Sequence, residues 1–245
     1  MFDWSLARDS FVTLLAGLRF TVEYAAIVMG LSLALAIPVA YARLSRHRAV
    51  RLLAGAYVGL IRSTPLLIQL VYIYFALPVV GITLSAPVAG VVGMTLHYTA
   101  YITEVYRSGI QAIPRGQRDA AVSIGMRPLT ISTRVVFPQA FRIMVPTLGN
   151  YFISAIKDTS LLSVITVQEL LFSGQIIAER TYDYFTLYTE VFAMYLVLGT
   201  LAIIGVKYVE RYFARGRGSA PSQRRGPGLS GPGLSGPGLG DTRAA

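Results

Sequence analysis

The chain has 245 residues, 54% of them hydrophobic and 14% charged, with a mean hydropathy of +0.56, which is too apolar for a water-soluble domain of this size and places it in a bilayer. The formal net charge of +10 does not point to nucleic acid, because the Arg and Lys residues sit beside apolar runs, where membrane topology explains them. With no cysteine, a disulfide framework and a thiolate metal site are both excluded.

Apolar runs long enough for about 20 residues of spanning helix occur at 11–42, 52–77, 86–105, 138–156 and 189–208. They predict an all-α integral membrane protein with five transmembrane helices. Arg43, Arg46, Arg48 and Arg51 lie between the first two runs. Arg107, Arg115, Arg118, Arg127, Arg134 and Arg142 lie in or beside a long polar segment near 107–138, and Lys207, Arg211, Arg215 and Arg217 close or follow the last run. Positive charge marks the cytosolic side, so the N-terminus is expected outside and the C-terminus in the cytosol. Ala40-Tyr41-Ala42 is superficially like a signal cleavage site, but the apolar run before it is too long and Arg8 is offset by Asp3 and Asp9, so no cleavage is expected.

In the second run Arg62 lies about eleven residues, roughly 16 Å at helical rise, beyond Arg51 and so near mid-bilayer. A charge there costs on the order of 2.5–3.5 kcal/mol and is a functional candidate by default. Ser63-Thr64-Pro65 follows it; proline removes a backbone donor and disfavours helical geometry at Thr64, which predicts a broken span. A buried cation beside a discontinuous helix suits a carboxylate-bearing solute. The alternative is that Arg62 caps carbonyls or pairs with Glu104 or Asp158 to fix packing. Gln69, seven residues on, shares the Arg62 face if the kink is modest.

The third run carries a polar stripe from His97 to Glu104 in which His97, Tyr101 and Glu104 fall on one helical face. That face either lines a solute path, with Glu104 matched to an ammonium and the tyrosines to cation–π contact, or makes hydrogen bonds between helices. Tyr98 is expected in the second role. Lys157-Asp158-Thr159-Ser160 closes the fourth run, as an interfacial ion pair or as part of a gate. The segment 157–188, with Asp158, Glu169, Glu179 and Asp183, reads as an external connection. From 216 to 245 the composition changes to Gly, Pro, Ser and Arg, with Gly-Pro-Gly-Leu-Ser repeating, and a disordered tail is expected. The expected domain division is thus a membrane domain over 1–215 and a tail over 216–245.

Asp119-Ala120-Ala121-Val122-Ser123-Ile124-Gly125, followed by Val135-Val136-Phe137-Pro138, resembles the coupling loop of ABC importer permeases. That loop runs Glu-Ala-Ala, three residues, Gly, nine residues, Ile, any residue, Leu-Pro; here Asp, Val and Phe replace Glu, Ile and Leu. On physical grounds Asp119 suits a helix first turn, Ala120 and Ala121 let a partner approach closely, and Gly125 permits a turn. Tyr57 to Gln69, Glu104 to Ile110, Pro114-Arg115-Gly116-Gln117, Pro146 to Tyr151 and Lys157 to Ser163 are similar, in order, to permeases for polar amino acids of the histidine, glutamine, glutamate and arginine type. His97-Tyr98 and Leu161 to Thr166 are also similar to ectoine and hydroxyectoine permeases.

The resemblance implies a type I importer permease of MetI-like fold in the bacterial cytoplasmic membrane. Its partners would be an ATP-binding subunit, a second permease subunit (identical or different), an extracytoplasmic solute-binding protein and membrane lipid. ATP and Mg would bind to the partner ATPase and no cofactor to this chain, which has no phosphate-cradling G-x-x-x-x-G-K-[ST] loop. Asp119, Ala120, Ala121 and Gly125 would couple to the ATPase. Arg62, Ser63, Thr64, Gln69, His97, Tyr101, Glu104 and Asp158 are the candidate solute pathway. With His47 the only other histidine, no zinc-type cluster is expected, and no nucleophile elbow points to an enzyme. The rival class is an ATP-independent channel or facilitator for small zwitterions.

Overall fold

The computed structural model describes residues 2–214, and among these every regular element is helical. The glycine- and proline-rich stretch expected to be disordered lies outside the described residues. Helix α1 runs Trp4–Arg43, starting where the Asp3 carboxylate accepts the amides of Ser5 and Leu6. At 40 residues it is roughly 60 Å long, about twice a hydrocarbon core. Helix α2 spans Arg48–Arg62 and α3 spans Leu66–Val71, continued by a π turn Tyr72–Ala76 and a 3-10 turn Leu77–Val80.

Helix α4, Ala86–Gln111, starts behind Ser85 and packs along α1. Helix α5, Arg115–Ser123, leads to the single turn α6, Pro128–Thr130, and a π segment Ile131–Val136. Helix α7, Phe137–Asp158, runs on into a 3-10 segment Thr159–Ile165; α8 is Leu170–Thr181 and α9 is Tyr184–Ala214.

Two of these helices, α1 and α9, are long and apolar enough to cross a membrane on their own. Two bent pairs join them if each counts as one span: Arg48–Arg62 with Leu66–Val80, bent by 104°, and Pro128–Ile165 with Leu170–Thr181, bent by 45°. The break expected after Arg62 is therefore present, and it is sharp. The expectation that Gln69 shares a face with Arg62 across a modest kink is corrected by that angle: Pro65 has no amide to continue the α2 ladder, and the chain turns through more than a right angle.

The central core is built by α1, α3, α4 and the 3-10 segment after α7, with Val28, Leu70, Met94, Tyr98, Ile102 and Leu162 all 2% exposed or less. Contact between apolar helices in lipid is held by van der Waals fit rather than by escape from water. Small residues accordingly set the closest approach. A Cβ on Gly17 of α1 would stand 2.7 Å from Ser173 Oγ and 3.0 Å from the Leu170 Cα, so α8 can lie against α1 only because residue 17 has no side chain.

The sequence reading missed α8 and its start. The Glu169 carboxylate is fully buried and accepts the Leu171 and Phe172 amides at 2.9 and 2.8 Å, the Tyr195 hydroxyl at 2.7 Å and the Thr21 hydroxyl at 3.5 Å. One side chain thereby caps α8 and ties it to α1 and α9. A residue read as external charge is a buried three-helix joint.

Candidate functional site

Where α2 stops, its last carbonyls lose their helical donors. The polar residues of the break supply replacements. Ser63 Oγ donates to Leu60 O at 2.9 Å, Thr64 Oγ1 to Leu60 O at 3.1 Å, and Gln69 Nε2 to Ile61 O at 2.8 Å and Thr64 Oγ1 at 2.8 Å. Ser63, Thr64 and Gln69 thus hold the break in shape. Gln69 Oε1, left as an acceptor, lies 3.1 Å from His97 Nδ1, which couples the break to the middle of α4; the Nδ1–H tautomer of His97 fits this contact.

His97 begins an aromatic cluster. Its ring centre is 4.9 Å from that of Tyr101, Tyr101 is 5.6 Å from Tyr151 of α7, and Tyr151 is 6.3 Å from Tyr98. His97 also meets Tyr98 at 5.5 Å, which closes the four rings into a loop, and a charged group stands beside Tyr101 and beside Tyr98. The Arg62 guanidinium lies over the Tyr101 ring at 5.2 Å, within cation–π range. Tyr98 donates its hydroxyl to Asp158 Oδ2 at 2.5 Å. Arg62 is exposed, while His97, Tyr101, Tyr151 and Asp158 are half-buried.

These contacts show which of the charged groups pair. Arg62 forms no ion pair among the described residues, with Glu104 or with Asp158. Glu104 instead pairs with Arg107 one turn away and stands 3.9 Å from Arg43 at the end of α1. It shares a helical face with His97 and Tyr101 but belongs to a separate charge cluster. Asp158 faces Tyr98 rather than its neighbour Lys157. Tyr98 and Tyr151 were missing from the candidate set, although Tyr151 had a legible signal, standing two helical turns before Asp158 on the same face of α7.

The second polar region is the α5 segment. Asp119 is the fifth of the nine residues of α5, and the first turn contains no acid. The expectation that it serves a helix N-terminus is therefore corrected: Pro114 precedes the helix and moves its start four residues ahead of Asp119. Asp119 and Ala120 are exposed, whereas Ala121 is 4% exposed and packs with Ile113, Ile131, Val136 and Met144. One alanine thus faces outward and the next anchors α5 to the π segment that leads into α7. Gln139 Nε2 of α7 adds a contact to Gln117 Oε1 at 3.5 Å.

Gly125 ends α5 with φ +78°, its amide donating to Val122 O and the next amide, Met126 N, to Ala121 O at 3.1 Å. This is a left-handed helix stop that favours glycine. Around it Val122, Ile124 and Leu129 are 62%, 77% and 76% exposed. The three side chains form an exposed apolar patch flanked in the chain by Arg118 and Arg127. Among the described residues no group of three His, Asp or Glu side chains is placed to hold a metal ion.

Comparison with known proteins agrees with this architecture. The model for binding-protein-dependent transport system inner membrane components matches residues 26–215. A probable amino-acid ABC transporter permease protein of Sinorhizobium fredii is 39% identical over 197 residues, 80% of this chain and 85% of that one. The L-cystine transport system permease protein TcyB of Bacillus subtilis is 36% identical over 214 residues, 86% and 92% of the two chains. Among solved structures, an amino acid ABC transporter with histidines superposes with a TM-score of 0.82 at 32% identity, covering 86% of this chain and 99% of the other. An inward-facing MetNI methionine ABC transporter shares the fold, with a TM-score of 0.69 at 20% identity over 82% and 96% of the chains.

Proposed function

The chain belongs to the family of binding-protein-dependent transport system inner membrane components, and we propose that its aromatic cluster between Arg62 and Asp158 is the path of a zwitterionic solute. It is the permease component of an amino-acid ABC importer, a transport subunit and not an enzyme, with the MetI-like type I importer fold. The observation that carries the proposal is an exposed guanidinium and a half-buried carboxylate placed beside two different members, Tyr101 and Tyr98, of one closed cluster of four aromatic rings. An amino acid presents the complementary pair: its carboxylate matches Arg62, and its ammonium matches Asp158 and the ring faces. Cyclic zwitterions such as ectoine and hydroxyectoine fall in the same chemical class.

The transport cycle we infer is alternating access. An ATP-binding subunit, carrying ATP and Mg, docks on Asp119, Ala120, Val122 and Ile124. Ala121 and Gly125 pass its closure to α4 and α7 as rigid-body motion, and the break at Ser63–Pro65 absorbs the change of angle. A second permease subunit faces the Arg62 side, and a solute-binding protein delivers from outside. Five crossings follow if α4 is added to α1, α9 and the two bent pairs, and the positive-inside rule then favours an outside N-terminus with the basic α1–α2 connection, α5 and the end of α9 in the cytosol.

The test is solute-stimulated ATP hydrolysis by the assembled complex. Gly125→Asp is expected to abolish stimulation while the chain still inserts in the membrane. Normal stimulation in that variant would overturn the coupling role of α5.

A further inference from the structure

We propose that the outer end of the α1–α9 groove is a binding site for a phospholipid whose headgroup carries both a phosphate and a primary ammonium. A cavity of about 410 Å³ opens there, walled by Trp4, Arg8 and Phe11 of α1 and by Thr189, Glu190 and Ala193 of α9. Trp4, Arg8 and Phe11 recur at helical spacing, so they form one continuous face.

The two charges of this cavity form no ion pair with each other or with another described residue. Glu190 is half-buried, and the only hydrogen bond it accepts among the described residues comes from Ser10 Oγ, at 2.7 Å to Oε2. Arg8 is exposed and makes no ion pair among the described residues. An anion at the edge of a low-dielectric region with one donor retains a demand for a cation, and a neighbouring unpaired guanidinium retains a demand for an anion. A headgroup with phosphate next to ammonium meets both at once.

The depth of the site also fits a lipid. The apolar runs begin at Phe11 and Thr189, so Arg8 and Glu190 stand at the level where headgroups lie. Trp4 is 80% exposed, and Tyr182, Tyr184, Phe185 and Tyr188 are 82%, 45%, 64% and 40% exposed around the start of α9, the aromatic belt of a membrane–water boundary. Phe11 and Phe192, 49% and 67% exposed, continue inward where acyl chains would lie. A choline headgroup offers Glu190 no N–H donor, and a glycerol headgroup offers it no cation.

The experiment is lipid retention by the complete complex after reconstitution into vesicles of equal phosphatidylethanolamine and phosphatidylglycerol, then into equal phosphatidylethanolamine and phosphatidylcholine, read by native mass spectrometry. It needs no uptake assay, so its outcome is separate from that of the transport reading. Enrichment of phosphatidylethanolamine in both mixtures is expected. Glu190→Gln, which keeps an acceptor for Ser10, should lower that enrichment about tenfold, the size of one lost charge-assisted hydrogen bond. Arg8→Gln should lower retention of all phospholipids at the site, and Asp9→Asn, a neighbouring exposed acid outside the cavity, should change nothing. Equal retention of the three lipids by the wild-type complex, or unchanged enrichment in Glu190→Gln, overturns the proposal. So does dissociation of a partner subunit in Glu190→Gln with unchanged lipid, which would make the cavity a protein contact.

Discussion

Arg62 holds its guanidinium 5.2 Å above the ring of Tyr101, and no carboxylate of the described chain pairs with it. Under the proposed function its donors meet the carboxylate of the solute. Two substitutions separate that role from a packing role. Arg62→Ala is expected to reduce uptake at least about tenfold, the equivalent of roughly 1.4 kcal/mol, with unchanged subunit assembly by size-exclusion chromatography. Arg62→Lys, which keeps charge but loses the planar fork, should fall between the two. Equal loss of uptake and assembly would assign Arg62 to structure.

Tyr98 is 2% exposed and donates to Asp158. Tyr98→Phe leaves the ring contacts in place and removes the donor, so it should destabilise the purified complex by about 1.5–3 kcal/mol, the worth of a hydrogen bond to a charged group. Thermal unfolding in detergent measures it. An unchanged midpoint would show that Asp158 finds another donor in solution.

At Gly125 the backbone conformation, not crowding, sets the requirement, since a Cβ there would meet nothing within 4 Å. Gly125→Asn, which tolerates left-handed geometry, should retain most solute-stimulated ATP hydrolysis. Gly125→Val should lose most of it, at a conformational cost of about 1–2 kcal/mol. If both variants behave alike, the shape of the turn is not what docking reads.

The N-terminus is tied to the start of α9 by hydrogen bonds that depend on ionised carboxylates. Thr186 Oγ1 accepts the Asp3 amide at 3.0 Å and donates to Asp183 Oδ2 at 2.7 Å, and Asp183 Oδ1 accepts the Thr186 amide at 3.0 Å. The Ser5 hydroxyl and two amides hold the Asp3 carboxyl below its ordinary value, and the Thr186 amide and hydroxyl do the same for Asp183. A depressed folded-state value means that the contribution to stability is present above the unfolded value, near pH 4, and is lost as pH falls through the folded one. Amide exchange of residues 2–11, corrected for intrinsic rates, should be constant from about pH 7 to 5 and should rise only below about pH 4. A rise near neutral pH would contradict this tie.

Much of this organisation is readable from residue type. Pro65 after Arg62-Ser63-Thr64 announces the break, because a residue without an amide cannot continue the helix, and Gly125 announces the end of α5. The bend of 104° is not readable, nor is the hydrogen bond by which Gln69 reaches back across it to Ile61. Helix α8 escaped notice because 12 residues are too few for a span, and because Glu169, which caps it, is fully buried against Thr21 and Tyr195 from distant parts of the chain. Asp119 lies in the middle of α5 and not in its first turn for a local reason, since the helix starts at Arg115, right behind Pro114. The run of rings from Arg62 to Asp158 joins α2, α4 and α7, so its members could be listed from the sequence only in part: Tyr98 and Tyr151 become legible once the helices are assembled.

The most direct test of the central claim is amino-acid uptake by proteoliposomes containing the complete complex, with ATP enclosed, solute-binding protein outside, and wild-type or Arg62→Ala permease. Uptake that requires both ATP and the binding protein, and that falls at least about tenfold in the assembled Arg62→Ala complex, is the predicted result. Uptake that continues without ATP, or at the wild-type rate in Arg62→Ala, would contradict an ATP-coupled path along Arg62 and Tyr101.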